Sequence, residues 1–177
     1  MARTARTNGL GSLRHLAGRF AGSLWPGGPT AGDEAWAGSL CLPGEARLWR
    51  AMTGPDRRHA VAVTRRVAAA LGGEEVAGRP VLAAALLHDV GKTDARLGTF
   101  ARAGATIVAM VVGRARASAG PGRIGRYLRH DQRGADLLAD AGSDPVTVAW
   151  AREHHLPPAQ WTLPRPVAEA LKAADDD

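Results

Sequence analysis

Cysteine and long apolar runs are the features that this sequence most clearly lacks. Cys41 is the single cysteine among 177 residues, so neither an intrachain disulfide nor a cysteine-rich zinc site can form. Apolar runs such as residues 107–112 are far too short to cross a bilayer. The basic N-terminus also lacks the continuous apolar core of a signal peptide. These absences predict a cytoplasmic protein without a transmembrane segment.

Aromatic residues and lysine are scarce as well. Aromatics make up only 5% of the chain, so alanine, leucine and valine must fill most of the core, and alanine is the best helix former. A net charge of +6 attracts phosphate, nucleic acid or anionic lipid. The 17 acidic residues are interspersed with the basic ones, unlike the clustered basic surface of nucleic-acid binders. Nucleic acid is therefore not the partner we expect.

The first 50 residues are predicted to be an N-terminal arm and linker, partly disordered, that precede a domain at residues 51–177. Leu13, Leu16, Phe20 and Leu24 recur at helical spacing, which predicts an amphipathic helix over 10–25. Such a helix could dock on a partner or a membrane surface, or pack on its own domain. Residues 26–32 are rich in proline and glycine and are predicted to be a linker.

Helical periodicity and breaker residues divide the rest of the chain into helices, and no stretch shows the alternating pattern of a strand. The fold class is therefore predicted to be all-α. The residues from Val81 to Leu87 are apolar on every side, which predicts a central buried helix. The helices are predicted at residues 43–53, 56–71, 80–87, 95–117, 123–129, 131–141, 144–155 and 165–175.

Chemistry is concentrated in a few histidines and aspartates. His88 and Asp89 end the predicted central helix, where an unpaired buried carboxylate is costly. A divalent cation would neutralise it, and imidazole with carboxylate suits zinc, iron, nickel or manganese. Each histidine alone also fits an ordinary role in the core or at a helix end. The whole series is harder to explain in that way; it comprises His59, His88, Asp89, His130, His154, His155 and Asp175.

At these residues the sequence resembles the HD-domain metal-dependent phosphohydrolases, over about residues 50–177. The likeness rests on His59, His88-Asp89 and Asp175, in the order that names the family, and on the strings at 86–92 and 171–175. The resemblance implies an HD-domain-like helical bundle that acts on a nucleotide or another small phosphate ester. A non-catalytic regulatory or scaffold protein of the same fold is the alternative.

The resemblance also implies roles for particular residues. One metal ion would be held by His59, His88, Asp89 and Asp175. Catalysis would involve Asp89 and Lys92, with Lys92 meeting the substrate phosphate. A second ion would be held by His130, His154 and His155, with Asp89 bridging, as in the two-metal branch that includes cyclic-dinucleotide phosphodiesterases of the HD-GYP type. The chain departs from that branch at residues 156–161, where the glycine-tyrosine-proline loop is missing, and this argues against cyclic-di-GMP as substrate.

Overall fold

The regular elements that this computed structural model describes are helices. The structure describes residues 27–95, 104–105, 108, 111–120 and 122–177, and these residues contain no β-strand, so the all-α prediction is confirmed. The helices are α1 (Ala31–Leu40), α2 (Pro43–Ala51), α3 (Gly54–Ala70), α4 (Glu74–Ala77), α5 (Arg79–Leu87), α6 (Lys92–Ala95), α7 (Arg114–Ser118), α8 (Arg123–Leu128), α9 (His130–Asp140), α10 (Pro145–Glu153) and α11 (Arg165–Asp176), with a 3-10 turn at Pro158–Gln160.

Side-chain caps fix where several helices begin. The hydroxyl of Thr30 accepts a hydrogen bond from the backbone N–H of Asp33, and Thr53 does the same for Asp56. The carboxylate of Asp144 accepts from the N–H of Val146. These bonds satisfy backbone donors that have no partner within the first helical turn. Proline in the first turn of α10, among others, adds a backbone already restricted to helical φ.

Helix α5 lies at the centre of the molecule, as its all-round apolar sequence predicts. Every residue from Leu82 to Leu87 is buried. Leu82, Leu86 and Leu87 belong to one core cluster, shared with α1, α2 and α9. Ala84 and Ala85 belong to another, shared with α3 and α11. The C-terminal end of α5, where His88 and Asp89 lie, is therefore surrounded by the other helices.

Helices α1 and α2 pack on this same core. Ala37, Leu40, Trp49 and Met52 are buried in the cluster that contains Leu82, and the indole N–H of Trp49 donates to Glu34. Helix α1 has no counterpart among the predicted helices. The domain boundary predicted after residue 50 falls just before the last residue of α2, and both helices share the core with the helices that follow. The amphipathic helix predicted over 10–25 lies outside the described residues.

The long helix predicted over 95–117 is interrupted. Gly113 has a φ of 86°, a left-handed conformation that ends a right-handed helix and that glycine adopts without strain; α7 begins at the next residue. Much of the remaining stretch lies outside the described residues. None of the described helices combines the length and apolar character needed to cross a bilayer.

Candidate metal centre

The turn that follows α5 carries the centre of the site. His88 is the C-terminal cap of α5, and the chain then turns through Asp89, Val90 and Gly91. Gly91 lies directly against the first turn of α9, because a Cβ placed on it would be 2.0 Å from the carbonyl oxygen of His130 and 2.6 Å from the N–H nitrogen of Gly134. This close backbone approach brings the α5 turn and the start of α9 together.

One group of potential metal ligands comes from three elements far apart in the sequence. His59 lies in α3, His88 at the end of α5, and Asp175 in the last turn of α11. One ligand atom from each lies within 4.8 Å of the others. The Oδ1 atom of Asp175 is 3.2 Å from His59 Nε2 and 3.4 Å from His88 Nε2. These three side chains could hold one cation.

A second group consists of histidines alone. His130 begins α9, His154 caps the end of α10, and His155 follows it. Their ligand atoms also lie within 4.8 Å of one another, and the Nε2 atoms of His130 and His155 are 3.1 Å apart. His154 is completely buried, whereas His155 is exposed. The second group therefore opens to solvent on one side, which would give a ligand access.

The carboxylate of Asp89 lies between the two groups and presents one oxygen to each. Its Oδ2 atom is 3.4 Å from His88 Nε2. Its Oδ1 atom is 3.3 Å from His130 Nε2 and 3.8 Å from His154 Nε2. The ammonium group of Lys92, one turn further along, donates to Oδ2. Asp89 could therefore contribute a carboxylate oxygen to either group of ligands.

Backbone carbonyls orient three of the imidazoles. The Nδ1 atoms of His88, His130 and His154 lie 2.9, 2.7 and 2.9 Å from carbonyl oxygens of the preceding turn. A carbonyl can only accept, so each Nδ1 carries a proton and each ring turns Nε2 towards Asp89. Such an Nδ1–H bond to a carbonyl is usual for histidines that bind metal through Nε2.

Two of these inward nitrogens are not fully satisfied by hydrogen bonds. The Nε2 atoms of His88 and His154 are both buried without a well-formed hydrogen bond, although carboxylate oxygens lie 3.4 Å from His88 Nε2 and 3.8 Å from His154 Nε2, and an incompletely satisfied buried polar atom is costly. A cation coordinated by Nε2 would satisfy each of them. The donor set of imidazoles and carboxylates therefore fits a divalent transition metal such as iron, manganese, zinc or nickel.

The charges at the site are strongly coupled. Burial lowers the pKa of His88, but the carboxylates of Asp89 and Asp175 outweigh it and raise that pKa to about 10. Burial raises the pKa of Asp175, but the charge of His88 and the hydrogen bond from His59 hold it far below its usual range. Burial, followed by the charge of His88, lowers the pKa of His154 to about 3.

Asp89 and Lys92 form the other coupled pair. Burial raises the pKa of Asp89, but the charges of Lys92 and His88 outweigh it and hold that pKa well below the usual value. Burial lowers the pKa of Lys92, but the charge of Asp89 outweighs it and raises that pKa. At neutral pH the centre therefore holds ionised carboxylates, a cationic Lys92 and a neutral His154.

All the residues singled out in the sequence lie in this one region. The structure brings His59, His88 and Asp175 into one group, His130, His154 and His155 into another, and Asp89 with Lys92 between them. Sequence reasoning missed Arg66, whose guanidinium nitrogens Nε and Nη2 donate to the carbonyl oxygen of Ala174 at 3.0 and 2.8 Å. Its spacing of seven residues from His59, on the same face of α3, is the only sequence signal that could have found it.

Sequence reasoning also assigned no role to Glu153 or Tyr127. The buried carboxylate of Glu153 accepts hydrogen bonds from the backbone N–H and the hydroxyl of Thr162, which ties the end of α10 to the following loop. The ring of Tyr127 stacks on His130, with 5.6 Å between ring centroids. A tyrosine three residues before a histidine is a common pattern, so it did not indicate a role for Tyr127.

Comparisons with protein-family models, with curated proteins and with solved structures find no match to this chain. The resemblance to HD-domain phosphohydrolases thus rests on the residues and motifs of the sequence.

Proposed function

We propose that this protein is a metal-dependent phosphohydrolase of the HD-domain type, acting on a nucleotide or another small phosphate ester. The observation that carries the proposal is the position of Asp89, with one oxygen towards each of two histidine-containing groups. A carboxylate between two sets of ligands is typical of sites that hold two cations a few ångströms apart, and such pairs serve phosphoryl transfer.

The bound cations would supply Lewis acidity, which makes a water nucleophilic near neutral pH and stabilises charge on phosphoryl oxygens. The protein's own residues do the rest. The three Nδ1–H bonds to carbonyls hold the imidazoles in the orientation that binding requires. Lys92 is a compact cation beside Asp89 with its side chain 14% exposed, so it can meet a substrate phosphate at the surface of the centre.

Metal content and hydrolysis test the proposal together. The protein should be purified without chelator or added metal, its metals measured by inductively coupled plasma mass spectrometry, and its activity assayed on nucleotides and on phosphomonoester and phosphodiester substrates. Asp89→Asn should lose both metal and hydrolysis, because it weakens the carboxylate that faces both groups. Arg165→Gln, at an exposed pair with Glu169, is the matched control and should change neither.

The outcomes separate the candidate functions. Bound metal together with hydrolysis that Asp89→Asn removes would support the enzyme. Bound metal without hydrolysis of any phosphate ester would favour the regulatory or scaffold alternative. Protein that takes up no divalent metal even when metal is added would overturn the proposal entirely.

A further inference from the structure

The last turn of α11 has to place the Asp175 carboxylate accurately although its own sequence works against this. The acidic Asp175 and Asp176 lie at the negative end of the helix dipole, which is unfavourable for them, and within α11 an ion pair with Lys172 compensates this for Asp176. The carbonyl of Ala174 accepts hydrogen bonds from a side chain of α3, outside α11. A contact from α3 therefore helps to hold this turn in place.

Apolar packing against α3 gives the last turn its general position. Val63 and Val67 of α3 lie in the same core cluster as Leu171 and Ala174 of α11. Contacts between such side chains are not directional, and small rotations or shifts of α11 would preserve most of them. A shift of that size would nevertheless carry the Asp175 carboxylate away from His59 and His88, because metal ligation tolerates only a few tenths of an ångström.

Arg66 supplies the directional contact. Two of its guanidinium nitrogens donate to the single carbonyl oxygen of Ala174, at 3.0 and 2.8 Å. Arg66 follows His59 by seven residues, about two turns of α3, so both side chains lie on the face of α3 that meets α11. Helix α3 thus contacts two consecutive residues of α11, Ala174 through Arg66 and Asp175 through His59.

We infer that Arg66 is a positioning residue of the metal centre: by holding the carbonyl of Ala174, it keeps the carboxylate of Asp175 against His59 and His88. The consequence for metal binding rests on the proposed function; the consequence for the conformation of α11 does not. Because Arg66 acts through Asp175, it affects the group formed by His59, His88 and Asp175 and leaves the group formed by His130, His154 and His155 unchanged.

The variants Arg66→Met and Arg66→Lys test this, with Arg65→Met as the matched control. Methionine keeps much of the apolar stem but removes all donors, and lysine can restore one hydrogen bond to the carbonyl. Arg65 is the neighbouring residue on α3, and its guanidinium instead pairs with Asp33 and lies over the Trp36 ring. The Arg65→Met substitution therefore removes the same charge from the same helix without touching α11.

The first measurement is hydrogen–deuterium exchange in the full, metal-free chain. Arg66→Met should accelerate amide exchange in the last turn of α11, Arg66→Lys should accelerate it less, and Arg65→Met should leave it unchanged. Exchange in that turn that is identical in Arg66→Met and the parent protein would overturn the inference, whatever the protein's affinity for metal.

The second measurement is a calorimetric titration with Zn²⁺ in two backgrounds. With His130→Ala and His155→Ala, the group around Asp175 is the one left complete, and Arg66→Met should weaken zinc binding by about 10- to 100-fold, as is usual for residues that orient a ligand. With His59→Ala and Asp175→Ala, the same substitution should have no effect. Equal losses in both backgrounds would indicate general destabilisation and overturn the inference. If neither background binds zinc, the proposed function fails, and the exchange measurement alone decides the role of Arg66.

Discussion

His88 and His154 are both buried histidines at the ends of neighbouring helices, yet their surroundings favour opposite charge states. Two carboxylates beside His88 favour the imidazolium, and its pKa rises to about 10. Burial and the charge of His88 disfavour the imidazolium form of His154, and its pKa falls to about 3. Residue identity and burial alone therefore do not determine the charge of a histidine at this site; the positions of Asp89 and Asp175 do.

His154 should make the metal-free protein sensitive to acid. In the unfolded chain a histidine takes up a proton at a pKa near 6.5, whereas folded His154 resists it until about pH 3. At this residue the unfolded state thus binds more protons between these values, and the contribution of His154 to stability falls as pH decreases through that window, by about 2 kcal/mol at pH 5; the raised pKa of His88 offsets part of this loss. Urea unfolding at pH 7 and pH 5 with chelator present measures this loss.

Two variants, His154→Asn and Leu138→Ala, separate the effect of His154 protonation from the effect of core packing. His154→Asn should remove the loss of stability that His154 causes between pH 7 and pH 5, even if it lowers stability at both values. Leu138→Ala removes a fully buried side chain that does not titrate and should lower stability while the dependence on pH stays as in the parent protein. A dependence that is the same in all three proteins would contradict the assignment to His154.

His88 should couple metal uptake to proton release. Its raised pKa means that it is protonated at pH 7 in the metal-free protein, and imidazole must be neutral to bind a cation. Zinc binding should therefore release a proton and become tighter as the pH rises from 6 to 8. Calorimetry in two buffers with different enthalpies of ionisation measures the released protons, and binding heats that do not depend on the buffer would contradict the prediction.

At the scale of helices, the contact between Gly91 and α9 sets the distance between Asp89 and the second group of histidines. A Cβ on Gly91 would lie 2.0 Å from a backbone carbonyl oxygen, so Gly91→Ala should push the α5 turn and α9 apart. We expect a loss of about 1–3 kcal/mol in the free energy of unfolding, together with weaker metal binding. Chemical denaturation and metal titration measure the two effects.

Gly38 provides the control for this substitution. It lies on the exposed face of α1, and a Cβ placed there meets nothing within 4 Å. Gly38→Ala should therefore stabilise the protein by about 0.5–1 kcal/mol, since alanine favours the helix, and should leave metal binding unchanged. If Gly91→Ala behaved in the same way, the close approach would have no role in the site.

The helices were predictable where the sequence carries strong local signals. Pro80 and the apolar run after it identified α5, and Asp144-Pro145 identified the start of α10. Helix α1 was missed because Gly32 and Gly38 weaken its apolar pattern and Pro29 precedes it, although Thr30 is a good N-terminal cap. The interruption at Gly113 was missed because a single glycine within an apolar helical pattern is also compatible with a continuous helix.

At the scale of the whole molecule, α1 and α2 belong to the core on which the site is built. Trp49 is only 2% exposed and donates to Glu34 across the two helices. Trp49→Ala should lower the free energy of unfolding by about 3–5 kcal/mol, the usual range for a buried tryptophan. Val76→Ala, at a residue 73% exposed, should change it by less than about 0.5 kcal/mol. Guanidinium unfolding of the two variants checks both values.

The candidate site was predictable as a set of residues but not as an arrangement. Scarce histidines at helix ends, with Asp89 and Asp175, were enough to name the members. The sequence does not predict that Asp89 turns one oxygen to each group, because the orientation of its carboxylate depends on the contact between Gly91 and His130. The role of Arg66 could not be predicted either, because its partner is a backbone carbonyl 108 residues away. A backbone acceptor is present in every residue, so residue type does not indicate such a contact.

His59 and Asp175 are 116 residues apart in the chain and 3.2 Å apart in space. An ion bound by both side chains would link the two ends of a chain segment that contains α5, α9 and α10. It would act as a reversible cross-link in a protein that has no disulfide. Because the unfolded chain does not present this site, the bound ion would stabilise the folded state alone. Resistance of the domain to proteases should therefore rise and fall with the occupancy of the ion, so that loss of metal would shorten the lifetime of the protein.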